Sequence, residues 1–205
     1  MLSQANYNES IFLATAAHEA GHAAAAFLAC REDQINFIDM AGTDYGIARI
    51  NYSPWERCAV LRCPRIDQQV RSMAITEMLF CLLGPAAKAK VDDDPYWWSE
   101  MSDMPSYGGY GDDYTAAMDM AMVVEGGDGR QAFRLVLKVA GWCDELVRQE
   151  RAWGLITTLA ATLRYGERID GDALRKTMEA TWGPRRKMPL LELGRKWKKR
   201  LGVQT

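Results

Sequence analysis

The only two histidines of the chain, His18 and His22, stand four positions apart in the run HEAGH, and Glu19 directly follows the first. On a helix, positions i and i+4 share a face with Cβ atoms about 5–6 Å apart. Two imidazole nitrogens can then converge on one zinc ion at about 2.0–2.1 Å. Glu19 lies next to the first ligand and can serve as general base toward a water on the metal. Hydrolysis at zinc needs this set: two neutral nitrogen ligands, an open position and a carboxylate that takes a proton. The spacing of the two histidines together with the Glu has a chance of less than about 1 in 1,000. The bland alternative is two exposed or core histidines on an Ala-rich helix. Gly21, inside the motif, costs about 1 kcal/mol against Ala in a helix, so it should admit another backbone or the metal's third ligand.

With no histidine left, that third ligand must be a carboxylate or a thiolate. Asp113 opens a helix after a GGYG run, so its carboxylate could turn toward the first helix, and the helix N-terminus favours its ionised form. Asp112 or Asp113 could equally do no more than cap that helix. Asp112 is the nearest rival as ligand, and Glu77, Asp119 and Asp44 are weaker ones.

The elements that must hold these groups read as mainly helical. Ser10 to Cys30 predicts one Ala-rich helix with Asn8 or Ser10 as caps. INFIDM and YGIARINY are β-branched and aromatic, joined through AGTD, and predict a short hairpin. Asp67 to Leu83 reads as a helix stopped at Gly84-Pro85. Asp92 to Tyr107 is acidic and aromatic without helical or strand period. A helix from Asp113 breaks at Glu125-Gly126-Gly127. Gly129 to Glu150 and Ala152 to Tyr165 predict two helices that could be continuous, with Gly141 and Gly154 as weak points. A last helix, Gly171 to Thr181, follows the turn ERIDGD.

At this level the sequence resembles a known family. ATAAHEAGHAAAAFL is similar to the motif helix of the zinc-peptidase domain of FtsH-type membrane AAA proteases. LLGPAAKAKV resembles the family's later LGGRAAEE helix, and YGGYGDDYTAAMDMAMVV its G-A-S-N-D-L-x-x-A-T segment. AWGLITTLAATLRYGERIDGDAL is similar to its closing helix and turn. The resemblance runs in order over most of residues 10 to 180. It implies a mainly α zinc-peptidase domain over 1–182, with a small β-hairpin beside the metal-binding helix and 92–107 as an inserted loop that could cover the cleft. It implies zinc held by His18, His22 and Asp113, with Glu19 catalytic. It also implies that Gly46, Ile47, Ala48, Arg49 and Ile50 form an edge strand pairing with the backbone of a polypeptide substrate. The oxyanion helper is not identified; Tyr107, Tyr110 and Tyr114 are only near in sequence.

There are departures from the family. Its acidic pair after LGGRAA is Lys88 and Ala89 here, and no G-x-x-x-x-G-K-[ST] motif occurs. The chain is therefore expected to act without ATP by itself, on flexible substrates or with a separate ATPase partner, and it could form a homo-oligomer. With 205 residues, 48% hydrophobic and 25% charged, it has the composition of one folded core. The net charge of −2 argues against a globally basic nucleic-acid binder. The basic tail 183–205 holds eight Lys or Arg and one acidic residue; nucleic acid is the less favoured partner for it and a solvated terminus the simplest reading. No apolar run reaches the roughly 18–20 residues of a membrane span, and no secretion signal is evident. Five Cys without a C-x-x-C pair fit free thiols in a reducing cytoplasm. The expected function is that of a zinc metalloendopeptidase on unfolded or flexible polypeptides. The alternative is a catalytically silent zinc-binding regulatory or interaction module with the same fold, and a third reading, a helical adaptor without metal, requires HEAGH to be accidental.

Overall fold

The structure, a computed structural model, describes residues 4–29, 32, 35–40, 49–52, 65–100, 111–165 and 168–183. Its centre is α1 (Gln4–Leu28), which starts six residues before the expected Ser10. Neither Gly nor Pro interrupts Gln4–Ser10, so Asn8 and Ser10 continue the helix rather than cap it, at only a modest propensity cost. Ala16, Ala17, Ala20, Ala23, Ala24 and Ala26 are all buried. Alanines buried over successive turns mark a core helix, and α1 packs chiefly on the helices Gln68–Asp92 and Glu150–Tyr165 and touches the sheet.

The sheet is antiparallel, in the order β2-β1-β3. Strand β1 (Ile35–Asp39) pairs with β2 (Arg49–Tyr52), with Ile38 opposite Ile50 and Asp39 opposite Arg49. This is the expected hairpin, but a third strand joins its other edge: β3 (Arg168–Asp170), with Ile38 opposite Ile169. Those residues read as the turn ERIDGD. The strand is three residues long, too short for a period, and gains its place from burial of Ile169 and from the Arg168 guanidinium 3.7 Å over the Phe37 ring.

The largest departure from the sequence reading is α2 (Gln68–Asp92), which passes straight through Gly84-Pro85. Asp67 caps its start, accepting from the Val70 amide at 2.9 Å, and Asp93 ends it in the left-handed region at φ 54°. An interior proline costs about 3 kcal/mol. Two effects overcome that cost. Gly84 has no Cβ to meet the proline ring, which is what normally drives the preceding residue out of the helical region. And α2 buries Met78, Leu79, Phe80, Leu82 and Leu83, each contributing about 1.5–3 kcal/mol. Since the proline does not divide it, α2 is long and apolar enough to cross a membrane by length and composition, contrary to the expectation from shorter runs. In this fold 67% of that apolar window is buried within the protein.

The close approach expected at Gly21 is made by α2. A Cβ on Gly21 would lie 2.5 Å from the Leu83 carbonyl oxygen and 2.8 Å from the Gly84 Cα, so the two backbones cross almost in contact. Beyond α2, part of the acidic-aromatic stretch folds as a single turn, α3 (Trp97–Glu100). Trp97 is buried and donates from Nε1 to Asp144 at 2.9 Å; positions 101–107 lie outside the described residues.

Helix α4 (Gly111–Val124) ends at the expected glycines. The Arg71–Glu125 pair at 3.2 Å joins its far end to the start of α2, so the two helices run antiparallel and the first turn of α4 falls beside the middle of α2. α5 (Gly129–Arg148) and α6 (Glu150–Tyr165) are separate, broken at extended Gln149 and not at Gly141 or Gly154. The Lys90 ammonium marks that break, donating to the Val147 carbonyl and sitting 4.1 Å over the Trp153 ring. α7 (Gly171–Trp182), capped by Asp170, closes the described chain.

Candidate metal centre

Two turns of α1 and the first turn of α4 bring three side chains together. His18 and His22 project from one face of α1, and Asp113 reaches them from α4. Asp113 Oδ2 lies 3.1 Å from His18 Nε2 and 3.3 Å from His22 Nε2, and the two Nε2 atoms are 3.0 Å apart. Donors around one zinc at about 2.0–2.1 Å in tetrahedral array stand about 3.3 Å from one another. The triangle needs only a few tenths of an ångström to match. The group could hold a metal ion.

The orientation of His22 is fixed from behind. Its Nδ1 lies 2.7 Å from the Phe80 carbonyl of α2. A carbonyl only accepts, so Nδ1 carries the proton, and in the neutral ring Nε2 presents a lone pair toward Asp113 and His18. A ligand histidine typically makes this kind of bond, which sets its tautomer and ring plane. The Phe80 ring adds a tilted contact at 5.0 Å between centroids.

Glu19 is buried beside the pair, and its Oε2 has no hydrogen-bond partner among the described residues. A buried carboxylate oxygen left without a partner costs about 1–3 kcal/mol or more. It is an acceptor left open beside the two histidines. The donor set, two imidazoles and one carboxylate, suits zinc with a position left open.

Burial works against a charge on His22, but the Asp113 carboxylate, its hydrogen bond, the Glu19 charge and the Phe80 carbonyl outweigh it and hold the pKa at about 9, above the usual 6.5. Burial likewise disfavours charge on Asp113, yet the two imidazoles hold its carboxyl well below the ordinary carboxylate range. A metal must displace the His22 proton, so binding near neutral pH should release about one proton from this ring, with affinity rising up to about pH 9 and then levelling. Calorimetric titration of zinc in buffers of different ionisation enthalpy measures that proton directly. Binding with no proton release at neutral pH would show that His22 is not a ligand.

The other candidates fall as follows. Glu77 is buried on α2 and Asp119 half-buried on α4, and neither belongs to the group. The Asp112 side chain, Asp44, Tyr107, Tyr110 and Gly46 to Ala48 lie outside the described residues. Arg49 and Ile50 begin β2, which among the described residues pairs on one side only. Tyr114 is half-buried against the core, where burial raises its pKa. Lys88, where the resembled family is acidic, bonds Asp92 one turn on at 2.5 Å. Sequence reasoning missed the Phe80 carbonyl, a backbone group that no residue type announces. Compared with known proteins, the chain matches no family model, no curated protein and no solved structure.

Proposed function

We propose that the chain is a zinc-dependent metalloendopeptidase that hydrolyses unfolded or flexible polypeptides without ATP, with a domain of the FtsH-type peptidase kind. The observation that carries the reading is the convergence of His18, His22 and Asp113 next to a buried carboxylate oxygen of Glu19 that lacks a partner among the described residues. His18, His22 and Asp113 would hold the metal. Zinc supplies Lewis acidity, lowering the pKa of water and polarising a carbonyl oxygen. Glu19 takes the proton of the attacking water at Oε2 and returns it to the departing amine nitrogen. Phe80 keeps the His22 proton on Nδ1 throughout. The free side of β2 is the surface on which an extended substrate backbone would add as a further strand.

A second reading, a zinc-binding module without turnover, is favoured by Lys88 and its surface pairing with Asp92 where the family has acidic residues. Casein separates the two. The zinc-loaded protein should cleave it, lose that activity to a chelator and regain it with added zinc. A protein that binds zinc and leaves casein intact would favour the module.

A further inference from the structure

Three glycines other than Gly21 lie well inside the described helices: Gly84, Gly141 and Gly154. A Cβ built on Gly141 or Gly154 meets nothing within 4 Å. A Cβ on Gly84 would lie 2.5 Å from His22 Nε2, 2.6 Å from Cε1 and 2.8 Å from Cδ2. Its three nearest neighbours are thus all atoms of one imidazole, at the corner that carries the ligating nitrogen. Real Cβ atoms essentially never come that close, and neither partner is free to retreat. His22 is held at Nδ1 by the Phe80 carbonyl, and Gly84 sits on a helix whose backbone is already against Gly21.

We infer that Gly84 is a positioning residue of the metal centre: its missing side chain is the volume in which the His22 ring stands. The inference rests on the proposed metal-binding reading for its effect on affinity, but the packing claim stands apart from it. Phe80 fixes the ring by a hydrogen bond and Gly84 fixes it by contact, from adjacent turns of the same helix. The run LLGPAA thereby has a physical role that a helix stop does not describe. Any side chain at position 84 forces the ring to turn, which weakens the Nδ1 bond and moves Nε2 off the point shared with His18 and Asp113. Groups that orient a ligand in this way typically change metal affinity by about 10–100-fold when altered.

The test is a double-variant cycle on Gly84→Ala and His22→Ala, with Gly141→Ala as control. Zinc affinity is read by competition with a chromophoric chelator, and thermal unfolding is followed without metal. Gly84→Ala should bind zinc about 10–100-fold more weakly than wild type, and the cobalt-substituted protein should show an altered visible spectrum. Gly141→Ala should bind as wild type does. Without metal, Gly84→Ala should lower Tm in the wild-type background and far less in the His22→Ala background, because the ring it strikes is gone. If Gly84→Ala alone does not fold, a folded double variant supports the inference and an unfolded one overturns it. Unchanged zinc affinity in a folded Gly84→Ala, or equal loss of Tm in both backgrounds, also overturns it. If wild type binds no zinc, the metal-binding reading fails on its own, and the Tm cycle decides the packing claim.

Discussion

Replacing Glu19 by Gln should leave zinc bound and reduce turnover on an unfolded polypeptide by about 10²–10⁴-fold, the range that a general base contributes. The two side chains have nearly the same shape, so the buried space beside His18 stays filled. What changes is proton affinity: a carboxylate can take a proton from water, an amide cannot. Stability should not suffer in the zinc-loaded protein, where His22 has given up the proton that the Glu19 charge favours. The Glu19 Oε2 atom is buried without a partner among the described residues, so the wild-type residue carries a desolvation cost that the neutral amide reduces. The expected combination is an equal or higher Tm, equal zinc content and lost cleavage. That pattern is characteristic of a residue retained for chemistry at the expense of stability. Cleavage retained by the pure variant would remove Glu19 from the mechanism.

Asp113→Asn should have the second largest effect, on both metal and pH dependence. The amide keeps the shape and loses the charge, and zinc affinity should fall by more than about 100-fold, beyond what a change behind a ligand produces. The stability consequence has a definite sign. The folded-state pKa of His22, about 9, lies above its ordinary 6.5, so the His22–Asp113 pair stabilises the zinc-free fold fully below 6.5 and loses that contribution as pH rises through about 9. Asp113 is shifted the other way, below its ordinary 3.8, so its contribution is present above that value and is lost in acid. Without metal, wild type should exceed Asp113→Asn in stability by the most between these ordinary values, and the two should converge above about pH 9. Denaturant unfolding across pH shows this. A difference that does not shrink at high pH would mean that the pair is not what holds the imidazole charged.

The parts of this centre that were legible in the sequence are those expressed by residue type at helical spacing. His18, Glu19 and His22 announce themselves because i and i+4 is a geometric statement on any helix. Asp113 is weaker: two acidic residues stand side by side in the sequence, and only the packing of α4 against α2 brings the Asp113 carboxylate to the histidines of α1. Gly21 signalled a close approach correctly, since a mid-helix glycine has a local cost that something must offset. Gly84-Pro85 misled for the same local reason. Both residues disfavour a helix when read alone, and the burial of Met78 to Leu83 that carries the helix through them comes from α1, α4 and α5, which no window on this segment contains. β3 was missed because three residues carry no period and owe their conformation to β1. The Phe80 carbonyl and the volume reserved at Gly84 are properties of backbone placement and become visible only once α1 and α2 have been brought together.

The measurement that tests the central claim most directly is the metal content of the purified protein and of its His18→Ala and Asp113→Ala variants, determined by elemental analysis after zinc loading and removal of excess. One zinc per chain in wild type, and none in either variant, is the result expected from the convergence of the three side chains on one point. Wild type without zinc after loading, or both variants with full zinc, would contradict the account at its base.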